Sequence, residues 1–147
     1  MLRSSGFAIA VVFSFLAGTL VPTASTQSSA TAKRYVQAQY MKVNPGMGVE
    51  YRALERDLWK PVHQERVNRG LIRSWGVYGV HLPGGAVDYD FVVLTEYPDF
   101  ASLENSRFPE LFEEVQGMDD YEAILQKTNA ARTRVRQDIW VLVENTE

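Results

Sequence analysis

His63 and His81 are the only imidazoles in the chain, and no cysteine accompanies them. A Cys nucleophile, a thiolate metal site and a disulfide are therefore excluded. The two histidines fall on different elements, and neither has a carboxylate at metal-ligand spacing beside it, so no zinc or iron site is expected. His81 stands just before Pro83-Gly84-Gly85, which reads as a turn, and is expected to be exposed. Glu113-Glu114 and Asp119-Asp120 are adjacent acids, the pattern of a solvated helix face. No Gly-x-Ser-x-Gly elbow and no phosphate-cradling glycine loop occurs. Arg132-x-Arg134-x-Arg136 would share one face of a strand. These arginines either take an anion or neutralise Asp88, Asp90 and Asp138 on the same face.

Trp59 and His63 are the pair best placed for chemistry, being four residues apart on a helix and so able to stack. Pro61 lies between them. It cannot donate to the carbonyl of Asp57, and its ring clashes there, so a kink is expected that swings His63 toward a cleft mouth. At about 100° per residue, Trp59 lies about 90° from the apolar stripe of this helix and His63 about 130°. In one reading Trp59 is a pocket wall and His63 a polar or acid/base group at its entrance. In the other they are a stacked surface pair that stiffens the kink or touches a partner subunit. Candidate ligand contacts are Trp59, His63, Trp75 and Tyr78, with His63 the only, and weak, catalytic candidate.

The elements that must position these residues follow from pattern. Tyr35 to Val43 has strand composition, and Asn44-Pro45-Gly46 ends it. Met47, Tyr51, Leu54, Leu58 and Val62 then mark one stripe of a helix that stops at Asn68 and Gly70. Leu71 to Leu82 and Ala86 to Tyr97 read as two strands joined at Pro83-Gly84-Gly85. Asp99 caps a short turn through Asn105. Pro109 to Asn129 is helical with a break near Gly117, and Val135 to Val143 is the last strand. The order β-α-β-β-α-β predicts an α+β domain of ferredoxin-like type, a four-stranded antiparallel sheet with helices on one face.

One face of such a sheet stays bare. Alternation assigns Tyr89, Phe91, Val93 and Tyr97 to the helix side, with Asp88, Asp90 and Glu96 opposite. It likewise assigns Ile72, Tyr78, Val80 and Leu82 to the helices, with Arg73, Trp75 and His81 opposite. In the last strand Val135, Ile139, Val141 and Val143 oppose Arg132, Arg134, Arg136, Asp138 and Trp140. Two tryptophans on the bare face point to a second subunit packed there, since each buries about 200 Å². A wet face with weak surface ion pairs is the plainer alternative.

Element order, the run Leu58-Trp59-Lys60-Pro61-Val62-His63 and the later Gly70-Leu-Ile-Arg-Ser-Trp75 together resemble the dimeric α+β barrel superfamily, over essentially Arg34 to Glu147. The likeness is to secreted bacterial members of unassigned function. Related branches include antibiotic-biosynthesis and haem-degrading monooxygenases, chlorite dismutase-like proteins and small isomerases. The resemblance implies a homodimer with a pocket between helices and sheet. The Asn-Trp-His set of the haem-degrading branch has no counterpart here, and no cofactor is expected. Three functions stay open. One is a cofactor-independent oxygenase or isomerase acting on an aromatic or apolar compound. The second is non-catalytic binding of a hydrophobic ligand or haem, and the third is a structural dimer module.

Residues 1–32 read as something else. Arg3 precedes a charge-free apolar run from Gly6 to Val21, followed by small polar residues to Ala32. That order is the pattern of a secretory signal peptide and spacer, and the apolar run is shorter than the roughly 20 residues of a spanning helix. The expected product is an exported protein, periplasmic or secreted, with residues 33–147 as one domain and no membrane attachment after cleavage. Seventeen aromatics (3 Trp, 7 Tyr, 7 Phe) are enough for a core and a pocket. Without Arg3, 14 basic residues face 18 acidic ones, so nucleic acid is not an expected partner.

Overall fold

The computed structural model describes residues 33–144. The signal-peptide reading of 1–32 lies outside the described residues. Strand β1 (Tyr35–Val43) leads into helix α1 (Gly48–Ala53), a π-helical turn (Leu54–Trp59) and helix α2 (Lys60–Asn68), which run on without a break. Strands β2 (Ser74–Gly79) and β3 (Phe91–Tyr97) follow, then a 3₁₀ turn (Ala101–Leu103). Helices α3 (Phe108–Gln116) and α4 (Tyr121–Ala131) and strand β4 (Arg132–Val141) complete the domain. All pairs are antiparallel, and the sheet order is β2-β3-β1-β4. This is the ferredoxin-like arrangement that the element order predicts.

Local chemistry sets the ends of the helices. Gly117 takes φ 68° after α3. There the Gly117 and Met118 N–H groups return to the carbonyls of Glu113 and Phe112. That is a Schellman stop, and glycine takes the left-handed turn without strain. Asp120 begins α4 by accepting the Ala123 N–H at 2.9 Å, so its carboxylate is a cap. Asp99 accepts the Ser102 N–H at 2.8 Å in the same way.

The stripe Tyr51, Leu54, Leu58 and Val62 is buried against Met41 and Val93 of the sheet and Leu111, Phe112 and Ile124 of the other helices. Just before Pro61, where a kink is expected, the helix widens into the π turn, with Lys60 N–H reaching back to Glu55. The carbonyls of Asp57 and Leu58 each accept Gln116 Nε2 from α3 at 3.1 Å. A side chain thus supplies the donor that Pro61 lacks.

Three departures from the sequence reading have physical causes. The β2–β3 connection spans residues 80–90, so both strands are shorter than alternation predicts. Trp75 pairs with Thr95 and Val77 with Val93, while Tyr78 pairs with Val92. Trp75 therefore faces the helices and Tyr78 the bare side, the reverse of the expected split. Apolar residues on both sides of Gly76 and Gly79 leave the phase of β2 open, and a one-residue change of phase exchanges the faces. Third, the register of β4 shifts between Tyr40↔Arg136 and Met41↔Arg134, a bulge at Val135. Arg136, Asp138 and Trp140 stay on the bare face, but Arg132 and Arg134 turn to the helix side. The three arginines do not form one patch. Arg136 pairs with Asp138 at 2.6 Å, and Asp90 pairs with Lys42 at 3.0 Å.

Candidate functional site

The π turn changes what α2 presents to the sheet. Past it, Trp59 and His63 are not on the flank and rim but inside, each 7% exposed. A π turn closes on the fifth residue rather than the fourth, so a stripe counted at 3.6 residues per turn loses phase across it. The ring of His63 stacks on Trp75 of β2, with centroids 4.6 Å apart and planes 12° from parallel. Trp59 is only tilted against it at 6.1 Å. Phe108, at the start of α3, meets His63 edge-on at 5.5 Å and Trp59 edge-on at 5.4 Å. Trp59 is held from the other side by its indole N–H, which donates to Thr128 Oγ1 at 3.0 Å.

These rings wall a cavity of about 160 Å³ between the helices and the sheet. A cavity of about 150 Å³ accommodates a benzene ring, so this one suits a single ring. The sheet contributes Gln37, Gln39 and Thr95 to its floor. Of the four expected contacts, the structure brings Trp59, His63 and Trp75 together and leaves Tyr78 on the opposite face, 58% exposed. His81 is exposed in the β2–β3 connection. Among the described residues, no group of three or more His, Cys, Asp or Glu side chains could hold a metal ion.

Two charged residues on the cavity wall were not singled out by sequence. Arg66 is 1% exposed, and its guanidinium lies 4.6 Å over the Phe108 ring. Its Nη1 is 3.2 Å from His63 Nδ1. A guanidinium can only donate, so Nδ1 accepts and the imidazole proton sits on Nε2. Burial, and then the Arg66 charge, push the His63 pKa down to about 3, which keeps the ring neutral. Glu55 is buried on the same wall. Burial raises its pKa, while the Tyr51 hydroxyl and the Arg132 charge act against that rise. The one sequence signal for Arg66 was its spacing of three from His63, which puts both on one helix face. Charged residues on a helix are by default read as solvated.

No protein-family model matches the sequence, and no curated protein matches it. Among solved structures, HapK from Hahella chejuensis superimposes with a TM-score of 0.56. The match covers 77% of this chain and 96% of that one at 9% identity. The chain has the ferredoxin-like fold. A dimeric ferredoxin-like protein from an uncultured marine organism is 19% identical over 78% of this chain and 96% of that one, at TM-score 0.45. Rv0793 from Mycobacterium tuberculosis is 21% identical over 78% and 97%, at TM-score 0.44. Identities this low speak for the fold alone.

Proposed function

We propose that this α+β barrel-type protein binds a small aromatic molecule in the cavity walled by Trp59, His63, Trp75 and Phe108. The observation that carries the reading is the convergence of four rings from α2, β2 and α3 on one cavity of single-ring size. Packed aromatic walls with a few polar groups are the usual make-up of a small-molecule site. Trp59 and Trp75 supply the readout. Titration with indole, phenol and benzoate is expected to change tryptophan emission saturably, with the response weakened in His63→Ala. A panel that leaves emission unchanged would remove the reading.

A second reading, catalytic, is favoured by Glu55. A buried carboxyl of raised pKa on the wall of an aromatic site is suited to moving a proton to and from a bound enolisable compound. Deuterium exchange into such a compound, lost in Glu55→Gln, is the corresponding measurement.

We also propose that the protein is a homodimer closed through the bare sheet face. Val36, Val92 and Leu94 are only partly covered there. Tyr78 and Trp140 are 58% and 45% exposed on the same side. Burying such a patch is favourable at about 25 cal/mol per Å². Trp140→Glu would place an unpaired charge in that interface. It is expected to give monomer by light scattering at micromolar concentration, where the unaltered protein runs as a dimer. A monomeric unaltered protein would end this proposal.

Export is proposed from residues 1–32. The mature protein recovered from the producing cell is expected to begin between Ser25 and Lys33, as read by terminal sequencing. An intact Met1 on the mature protein would exclude cleavage.

A further inference from the structure

We infer that the molecule held in this cavity is a small aromatic carboxylate, gripped by the free Nε–Nη2 edge of Arg66. The inference rests on the aromatic-site reading above and adds the charge and the functional group of the ligand.

The first observation is a shortage of acceptors. Arg66 Nε, Arg66 Nη2, Trp75 Nε1 and Arg132 Nε are buried N–H donors with no hydrogen-bond partner. All belong to residues lining this one cavity. Native proteins leave few buried polar groups unpaired, and each unmade bond is costly. Four donors around one space call for a ligand that only accepts.

The second observation is geometric. The Nη1 of Arg66 is turned to His63, which leaves the pair that forms the straight side of the guanidinium fork. The same pair on Arg34 grips Glu96, with Nε to Oε1 at 2.7 Å and Nη2 to Oε2 at 3.0 Å. That side matches the two oxygens of a carboxylate, a bidentate bond stronger than a single neutral one. Arg66 has no such carboxylate from the described residues of the chain.

The third observation is charge. The protein is acidic overall, with net charge −3. The ionisable side chains on the cavity wall include Arg66, Arg132 and Arg134 against the single acid Glu55. A groove of about 330 Å³ adjoins the cavity, sharing Glu55 and Trp75 with it, and Arg52 and Lys60 line that groove beside Arg56, which is paired with Asp57. Cations along the approach raise the local concentration of an anion. The ring of the ligand then lies among Phe108, Trp59 and the His63–Trp75 stack. The His63 ring stays uncharged there, as a flat stacking surface.

The experiment pairs benzoate with benzamide, which keeps the ring and shape but not the charge. Calorimetric titration of the purified protein is expected to show benzoate binding at least tenfold more tightly. Arg66→Gln is expected to reduce benzoate affinity by tenfold or more and benzamide affinity by much less. If Arg66→Gln does not fold, the unaltered protein still decides. Its Arg66 Nε–H resonance is expected to shift with benzoate and not with benzamide. Equal affinities for the two compounds, or an Arg66 signal indifferent to benzoate, would overturn the carboxylate inference while leaving the aromatic site standing. Absence of binding by both would remove the aromatic site as well.

Discussion

Between pH 6.5 and about 3, the protein is expected to lose about 4–5 kcal/mol of stability through His63 alone. In the unfolded chain this imidazole takes up its proton near 6.5. In the native cavity burial and Arg66 delay the proton until about 3. The unfolded state thus binds more protons throughout that window, and stability falls as pH falls, by about 1.4 kcal/mol per unit. Above 6.5 the contribution is fully present. The charged group nearest the ring is Arg66, a fixed cation, and the neighbouring Trp59, Trp75 and Phe108 do not titrate. Glu55 acts with the opposite sign, because its raised pKa favours the folded state as pH falls. The measurement is therefore a comparison. Urea unfolding of the unaltered protein and of His63→Gln across this range should show stability falling more steeply with pH in the first, the carboxylate contributions being common to both. Parallel curves would mean that the native imidazole titrates normally and is open to water.

Trp59→Ala is expected to cost about 3–5 kcal/mol, the range for removing a large buried aromatic side chain. The indole touches Phe108 and Phe112 edge-on, at 5.4 and 5.0 Å, and bonds to Thr128. It thereby ties the π turn to α3 and α4. Against a total stability of about 5–15 kcal/mol for a domain, such a loss leaves a marginal fold. Trp59→Phe should retain most of the packing and lose about 1 kcal/mol with the hydrogen bond. The Thr128 hydroxyl still donates to Ile124 O at 2.8 Å, so it is not stranded. Denaturant unfolding followed by circular dichroism separates the two variants. A Trp59→Ala protein within about 1 kcal/mol of the original would show that Trp59 packs more loosely than its contacts imply.

Much of the scaffold is written locally. The stripe from Tyr51 to Val62 is a helical period, and its residues are buried. Asp99, Asp120 and Gly117 mark helix ends through short-range bonds that any nearby chain would make. The face split of β3 is legible from its ends, where Asp90 and Glu96 alternate with Phe91 and Tyr97. Element order then leads to the ferredoxin-like sheet, because few ways exist to cover one face of four antiparallel strands with helices.

The site was decided elsewhere. A single period describes a strand or a helix only while nothing is inserted, and both walls of the cavity contain an insertion. The π turn before Pro61 carries Trp59 and His63 inward, and it depends on Gln116, more than fifty residues away, to occupy the carbonyls of Asp57 and Leu58. The bulge at Val135 turns Arg132 and Arg134 toward the helices. The phase of β2 is set by its register with β3, which places Trp75 under His63 and Tyr78 on the far side. Sequence named the aromatic pair Trp59 and His63 but did not single out Arg66. Only the packed structure puts that guanidinium 1% exposed, without a carboxylate and with one edge free. Whether a charge has a partner depends on every element around it, and no local pattern along the chain carries that information.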